Sequence, residues 1–350
     1  MRYLLLLCLF VVTFPATAQE EMPSWCPVRD AAVADVFASP QPQSAEVEIV
    51  DFSLTVTGQL SSDGALIAYT RVLRDVPVEL WVANADGTNP RVLLYIEDLV
   101  NMREDGPHLV PGIHRYQWIP DTHHLLLNTG QFPISDEGIF EFVADDLWQI
   151  DVDSGEARVF LPQDEGGEFV LSPDGQFVVV QRLNQLLLID SDGENLRTNV
   201  LSGYTTPGMG HLPYFPPIVW EDAESFLTLT TTDPYAQHDA EVTIWRVPHD
   251  GEAQSLRTIT AAFISVALSP DGVFVAYWNT PGAQSNQRRL YITQTHGGEE
   301  YLFLESELLV FSGWLPDARH FHYHERFGEE RLIGDVCGGS EPAPEATDTP

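Results

Sequence analysis

A short turn that recurs at near-constant spacing constrains this chain more than any other feature. Leu60-Ser61-Ser62-Asp63-Gly64, Leu171-Ser172-Pro173-Asp174-Gly175 and Leu268-Ser269-Pro270-Asp271-Gly272 are three clean copies. Between and after them fall three degraded ones, Trp118-Ile119-Pro120-Asp121, Trp220-Glu221-Asp222-Ala223 and Trp314-Leu315-Pro316-Asp317. The aspartate slot lies at 63, 121, 174, 223, 271 and 317, with spacings of 58, 53, 49, 48 and 46. In the fourth copy Ala223 fills that slot and Asp222 the proline slot. One further position reads Leu, Trp, Leu, Trp, Leu, Trp through the six copies. A strand-filled period of roughly 50 residues is the mark of propeller blades.

Each copy describes a tight turn between two strands. Proline presets φ for the turn, aspartate bonds back to the backbone, and glycine ends the turn without steric cost. A short apolar, β-branched or aromatic run follows, as a strand buried on both faces requires. A third strand is predicted over 78–83, 146–151, 185–190, 242–247, 289–293 and 330–336. Most of these end in hairpin signals, such as Asp86-Gly87, Asp192-Gly193, Asp250-Gly251 and Gly297-Gly298. A fourth strand follows, as in 91–96 and 158–161, so each unit is an antiparallel four-stranded meander. A meander with two apolar faces and two open edges is unstable alone, whereas six packed radially cover one another. The expected fold is therefore an all-β, six-bladed β-propeller. Its sixth copy runs out near Val336, and residues 45–52 read as a strand that would complete the last blade and close the ring.

The Ser-Pro-Asp-Gly turn followed by an apolar-aromatic strand resembles the repeat of TolB-like, WD40-like (PD40 repeat) propellers, over roughly residues 45 to 337. Such propellers serve as periplasmic scaffolds, ligand-binding domains and accessory domains of peptidases, so the resemblance implies a fold and leaves function open.

The flanks read differently. Arg2, an apolar run from Leu4 to Phe14 and Ala16-Thr17-Ala18 form a secretory signal with cleavage expected near Ala18. The run is too short to span a bilayer, and an extracytoplasmic location is expected, whether secreted, periplasmic or at the cell surface. Residues 19–44 form an N-terminal extension, and 338–350, rich in Pro, Thr and acid, are expected to be a disordered tail. Cleavage leaves Cys26 and Cys337, an even pair in an oxidising compartment that suggests one disulfide between the ends. Closing so long a loop contributes about 4 to 5 kcal/mol on the chain-entropy account.

Charge narrows the partners. The chain carries 17 basic against 52 acidic residues, every basic one an arginine, for a net charge of −35. That balance repels nucleic acid and anionic lipid surfaces. A protein or peptide partner is expected, together with a monomer and no membrane insertion. No Gly-x-Ser-x-Gly elbow, His-Glu-x-x-His pair, phosphate-cradling loop or Cys-x-x-Cys pair is present, so no catalytic residue and no cofactor is assigned.

Two places in the sequence still carry chemistry. His320, His322 and His324 alternate along a predicted strand, on the face opposite Phe321 and Tyr323. They read either as a metal-binding set, pointing to an enzyme acting on acidic sugars, or as packed imidazoles between blades; Cβ atoms two apart on a strand, about 7 Å from each other, favour the second. Asp190-Ser191-Asp192-Gly193 lacks the later ligands of a calcium loop and reads as a hairpin turn. The longest connections leave one face of the ring and hold the candidate ligand-binding residues Phe132, Asp136, Glu137, Phe140, His211, Tyr214, Tyr235 and His238. Aromatic platforms beside acids suit a cationic peptide or a sugar; a purely structural surface domain is the remaining reading.

The terminal disulfide gives a direct test. A non-reducing peptide map of the exported protein should show the Cys26 and Cys337 peptides joined; two free thiols would contradict the pairing.

Overall fold

The recurring turn folds the same way each time it appears intact. Ser61, Ser172 and Ser269 each donate Oγ–H to the aspartate two residues on, at 2.6 Å in all three turns. That carboxylate accepts a backbone N–H two residues further, from Ala65, Gln176 or Val273. The serine oxygen in turn accepts the N–H of Leu66, Phe177 or Phe274, which open the next strand. The closing glycines, Gly64, Gly175 and Gly272, share φ +69°, where only glycine is free of Cβ strain. A Cβ at Gly175 would also stand 2.8 Å from Pro120 of the preceding unit. Two of the degraded copies also centre the turn on an aspartate. Asp222, one residue before the expected slot, accepts from Glu224 N–H and Ser225 Oγ–H, while Asp317 accepts from Arg319 N–H and His320 N–H.

The computed structural model describes residues 44–49, 54–73, 76–96, 98, 109–133, 146–206, 208–209, 212–233, 239–280, 287–307, 310–324, 332–336 and 339–341. The expected signal segment, Cys26 and Cys337 lie outside them. Among the described residues the strands form six antiparallel sheets of consecutive strands, plus a two-stranded ribbon, Gly208–Met209 with Leu212–Pro213. Blade 1 comprises Leu54–Leu60, Leu66–Leu73, Val76–Asn84 and Arg91–Tyr95; blade 2, Leu109–Trp118, His124–Pro133, Leu147–Asp151 and Ala157–Leu161; blade 3, Glu168–Leu171, Phe177–Arg182, Gln185–Asp190 and Arg197–Thr198. Blade 4 comprises Val219–Trp220, Ser225–Thr231, Ala240–Pro248 and Gln254–Ala261; blade 5, Ala267–Leu268, Phe274–Asn279, Arg288–Gln294 and Tyr301–Ser306; blade 6, Val310–Trp314, His320–His324, Leu332–Asp335 and Gly339–Glu341. This is the six-bladed β-propeller architecture that the repeat predicts.

The core lies between blades, because the central strands of each sheet alternate their apolar side chains to the two neighbours. In blade 2, Leu125 and Leu127 pack with Ala68, Leu80 and Val82 of blade 1, while Leu126 packs with Phe169, Val178 and Val180 of blade 3. The same division joins blades 3 and 4 around Trp220 and Phe226, blades 4 and 5 around Leu229 and Tyr277, and blades 5 and 6 around Phe274 and Phe321. Each such fully buried side chain contributes about 1.5–3 kcal/mol, none of it available to an isolated blade.

The expected ring closure is corrected in its detail. Residues 44–49 do not complete blade 6: Ser44–Ile49 pairs with Leu54–Leu60 of blade 1, Val47 opposite Val56. The hairpin covers the blade 1 face turned away from blade 2, where Ile49 joins Ile67, Tyr69, Trp81 and Ala83. Blade 6 takes its fourth strand from Gly339–Glu341, in the segment expected to open the disordered tail; Ser340 stands opposite Gly334. Both pairings are local, and closing a short loop costs less entropy than joining the chain's two ends.

Arginine ties blades 1 to 5 together at their outer edges. A fourth-strand arginine reaches the turn between the third and fourth strands of the next blade. Arg91 donates to Val152 O, Arg158 to Asp192 O at 3.0 Å, and Arg197 to the carbonyls of His249 and Gly251. Arg257 donates to Gly298 O at 3.0 Å, Thr293 Oγ1 at 2.8 Å and Glu300 at 2.9 Å. A planar fork with five donors can span several turn carbonyls, which a lysine ammonium cannot do in fixed geometry.

The alternating tryptophans tie the inner edges in pairs. Trp118 Nε1–H donates to Gln59 O at 2.9 Å, and Trp314 Nε1–H donates to Ala267 O at 3.0 Å. Trp220 occupies the equivalent position against blade 3, yet its buried indole N–H has no hydrogen-bond partner. Trp118→Phe and Trp314→Phe should therefore each cost about 1–2 kcal/mol more than Trp220→Phe, read by urea denaturation. Equal costs at all three sites would contradict the assigned bonds.

Candidate functional site

The two ends of the blades differ in chemistry. First-to-second and third-to-fourth strand connections meet at one end; the first are tight turns bonded internally, as described for Ser61, Ser172 and Ser269, and the second are also held by arginines of the preceding blade. Second-to-third connections and the links between blades leave the other end. There Pro133 and Leu147 bound one connection, Thr231 and Ala240 a second, Asn279 and Arg288 a third, and His324 and Leu332 a fourth. Blades 1 and 3 instead reverse within a few residues, at Leu73–Val76 and Arg182–Gln185.

Histidines cluster at the tight-turn end, where they bridge carboxylates. His123 of blade 2 faces Asp63 of blade 1 at 3.3 Å through Nε2 and Asp153 at 3.0 Å through Nδ1. His296 of blade 5 donates to Glu221 of blade 4 at 2.5 Å, and Arg246 approaches the other Glu221 oxygen at 3.0 Å. His249 stacks on Phe177 of blade 3, with ring centroids 4.7 Å apart. His320 meets Asp317 at 2.5 Å and lies 3.7 Å from Asp335, which Arg319 also holds. His320, His322 and His324 alternate with Phe321 and Tyr323, which are fully buried against blade 5. Among the described residues no group of three or more His, Cys, Asp or Glu side chains is arranged to hold a metal ion.

At the loop-bearing end, the described residues show how the connections are anchored. Gln181 Nε2–H donates to Pro216 O at 2.6 Å and to Tyr204 OH at 2.7 Å. Asp239 Oδ2 accepts the N–H of Thr280 at 2.9 Å, linking the blade 4 connection to that of blade 5. Arg288 lies over Trp278 at 4.3 Å. Of the predicted ligand-binding residues, Tyr214 packs edge-on against Phe263 at 5.5 Å in the core between blades 4 and 5. Burial pushes its hydroxyl up to about 12, so it is a neutral phenol. Phe132 sits on the second strand of blade 2, opposite Val110, near the loop-bearing end. Asp136, Glu137, Phe140, His211, Tyr235 and His238 lie outside the described residues.

The sequence reading missed the inner wall of blade 2. A bulge between Ile113 and Arg115 interrupts the first strand. There His114 meets Glu168 of blade 3 at 2.5 Å, and Arg115 lies over Phe169 at 5.4 Å. No periodicity marks these residues; the only signal was a basic pair inside an apolar strand.

No protein-family model matches the chain. No curated protein matches it either. Among solved structures it is similar to dipeptidyl peptidase 4 of Porphyromonas gingivalis, at 14% identity and a TM-score of 0.50, over 81% of this chain and 46% of that one. It is also similar to an oligogalacturonate lyase in complex with manganese, at 15% identity and a TM-score of 0.49, over 79% of this chain and 74% of that one. TolB of Acinetobacter baumannii is matched at 17% identity and a TM-score of 0.40, over 81% of this chain and 64% of that one. The chain thus spans less than half of the peptidase and under two thirds of TolB. Identities this low show shared fold alone, the β-propeller implied by the turn motif.

The His123 bridge has a defined pH behaviour. Hydrogen bonds to Asp63 and then Asp153 raise the imidazole above its usual value, while the Ser61 hydroxyl, the Ala65 N–H and His123 hold Asp63 down to about 2. The histidine's contribution is full at pH values below its ordinary titration and fades as pH rises through the raised value; that of Asp63 fades only as pH falls toward about 2. In an NMR titration His123 should have a midpoint above 6.5, falling in Asp153→Asn. A midpoint that Asp153→Asn leaves unmoved would contradict the bridge.

Proposed function

We propose that this chain is an exported, non-catalytic β-propeller whose loop-bearing end binds a protein or peptide partner of cationic character. The observation that carries this reading is the contrast between the ends. Tight turns, bonded within themselves and to arginines and histidines of the neighbouring blade, occupy one end, and the long connections gather at the other. A scaffold that holds variable connections on rigid sheets is the usual arrangement for recognition.

Charge supports the partner's sign. The connection 134–145 carries Asp136, Glu137, Glu141 and Asp145 with no basic residue, on a chain of net charge −35. Such a surface steers basic partners and rejects acidic ones. Phe140 on that connection, Phe132 on the strand leading into it, and Tyr235 and His238 on the blade 4 connection would supply flat contacts beside the carboxylates. Export is supported by Arg2, the run from Leu4 to Phe14 and Ala16-Thr17-Ala18. Among the described residues no helix is long and apolar enough to cross a membrane.

The test uses immobilised full chain and synthetic peptides of matched length that are arginine-rich, neutral or acidic. The arginine-rich set should be retained selectively, and raising ionic strength from about 0.05 to about 0.5 M should weaken retention by about tenfold. Replacing 134–145 with a Gly-Ser linker should remove it. Retention that is independent of peptide charge, or unaffected by the replacement, would overturn the reading.

A further inference from the structure

Arg115 is a charged group whose surroundings do not account for its donors. The bulge after Ile113 turns Ile113 toward blade 1 and Arg115 toward blade 3, where the guanidinium lies over Phe169 at 5.4 Å. Burial pushes its pKa down, and Glu168 acts in the opposite direction. The Glu168 carboxylate is nevertheless hydrogen-bonded by His114, at 2.5 Å. Among the described residues the five guanidinium N–H donors of Arg115 make no hydrogen bond.

Two unused acceptors share its face. Asn128 is the direct cross-strand partner of Arg115, and Gln117 lies two residues along the same strand. Cβ separations at those positions are about 5 and 7 Å, so the three side chains are neighbours on one face of the sheet. Gln117 Oε1 and Asn128 Oδ1 are both buried without a hydrogen-bond partner. The Asn128 amide cannot simply rotate to hide its oxygen, because its Nδ2–H donates to Gly167 O at 2.8 Å. Buried polar atoms are almost always paired, so two on one face beside an uncommitted guanidinium point to something that supplies both donors and acceptors.

The first strands of neighbouring blades adjoin, as the bonds between Gln59 and Tyr116 and between Trp118 and Gln59 show for blades 1 and 2, so this seam lies at the inner edge of the sheets. Arg115 itself is only half-buried. A carboxylate matches the guanidinium fork, and a hydroxyl next to it would donate to Gln117 Oε1 or Asn128 Oδ1. We propose that the seam between blades 2 and 3 at Arg115 is a binding site for small hydroxycarboxylates. The site is built from residues outside the connection 134–145 and does not depend on the peptide reading.

Calorimetric titration of the full chain with glycerate and propionate, at matched ionic strength, tests this, because the two differ in the hydroxyls beside the carboxylate. Glycerate should bind saturably and propionate at least tenfold more weakly. Arg115→Met should abolish binding of both. Gln117→Leu should narrow the preference for glycerate while leaving propionate unchanged. If Arg115→Met loses its fold by circular dichroism, Gln117→Leu alone decides. No saturable heat with glycerate would mean that water alone fills the seam and would overturn the proposal, as would equal affinity for the two acids or wild-type binding by a folded Arg115→Met. Retention of arginine-rich peptides is measured separately, so failure of either reading is distinguishable.

Discussion

Apolar burial between neighbouring sheets is the interaction on which the rest of the molecule depends. Each blade divides its central side chains between two interfaces, as Leu125 and Leu127 against Leu126 show in blade 2. An isolated four-stranded meander would leave both sets in water and could not offset its own conformational entropy. Blade 1 faces this problem at the start of the chain, and the hairpin of Ser44–Ile49 answers it by bringing Ile49, Val47 and Ala45 onto Ile67, Tyr69 and Trp81.

Polar interactions then set how the sheets meet. Indole N–H groups fix the inner edges of blades 1 and 2 and of blades 5 and 6, and four arginines fix the outer edges from blade 1 through blade 5. Four of the 17 arginines gain a structural reason here. On a chain of net charge −35, these cations sit where fixed, multidentate contact with turn carbonyls is needed. Carboxylates contribute to folding as well, since Asp63, Asp174 and Asp271 hold the recurring turns and Asp146 is buried.

Much of this was legible in the sequence because turns are written locally. The Ser-Pro-Asp-Gly copies announced both the fold and its blade count, and the predicted third strand 185–190 coincides with Gln185–Asp190. The fourth copy shows the limit of alignment by letters: Asp222, not position 223, carries the turn. Ring closure was misread because strand-like residues at 45–52 do not say which edge they join, and the polar Gly339–Glu341 carries too little pattern to read as a strand. Tyr214 read as a loop aromatic; it lies on the connection between blades 3 and 4, and its partly buried ring packs against Phe263. Arg115, Gln117 and Asn128 were invisible because their association depends on a bulge and on strand register, neither of which single residues encode.

If sheets that cannot stand alone hold one another up, their second and third strands must lose protection together. Native-state hydrogen exchange over a denaturant series measures this directly. Buried amides such as those of Leu126, Val179, Leu229, Ala276 and Phe321 should converge on a single opening free energy as denaturant rises. A blade whose central amides keep their own separate, lower opening energy up to the unfolding midpoint would show that it folds independently and would contradict the account.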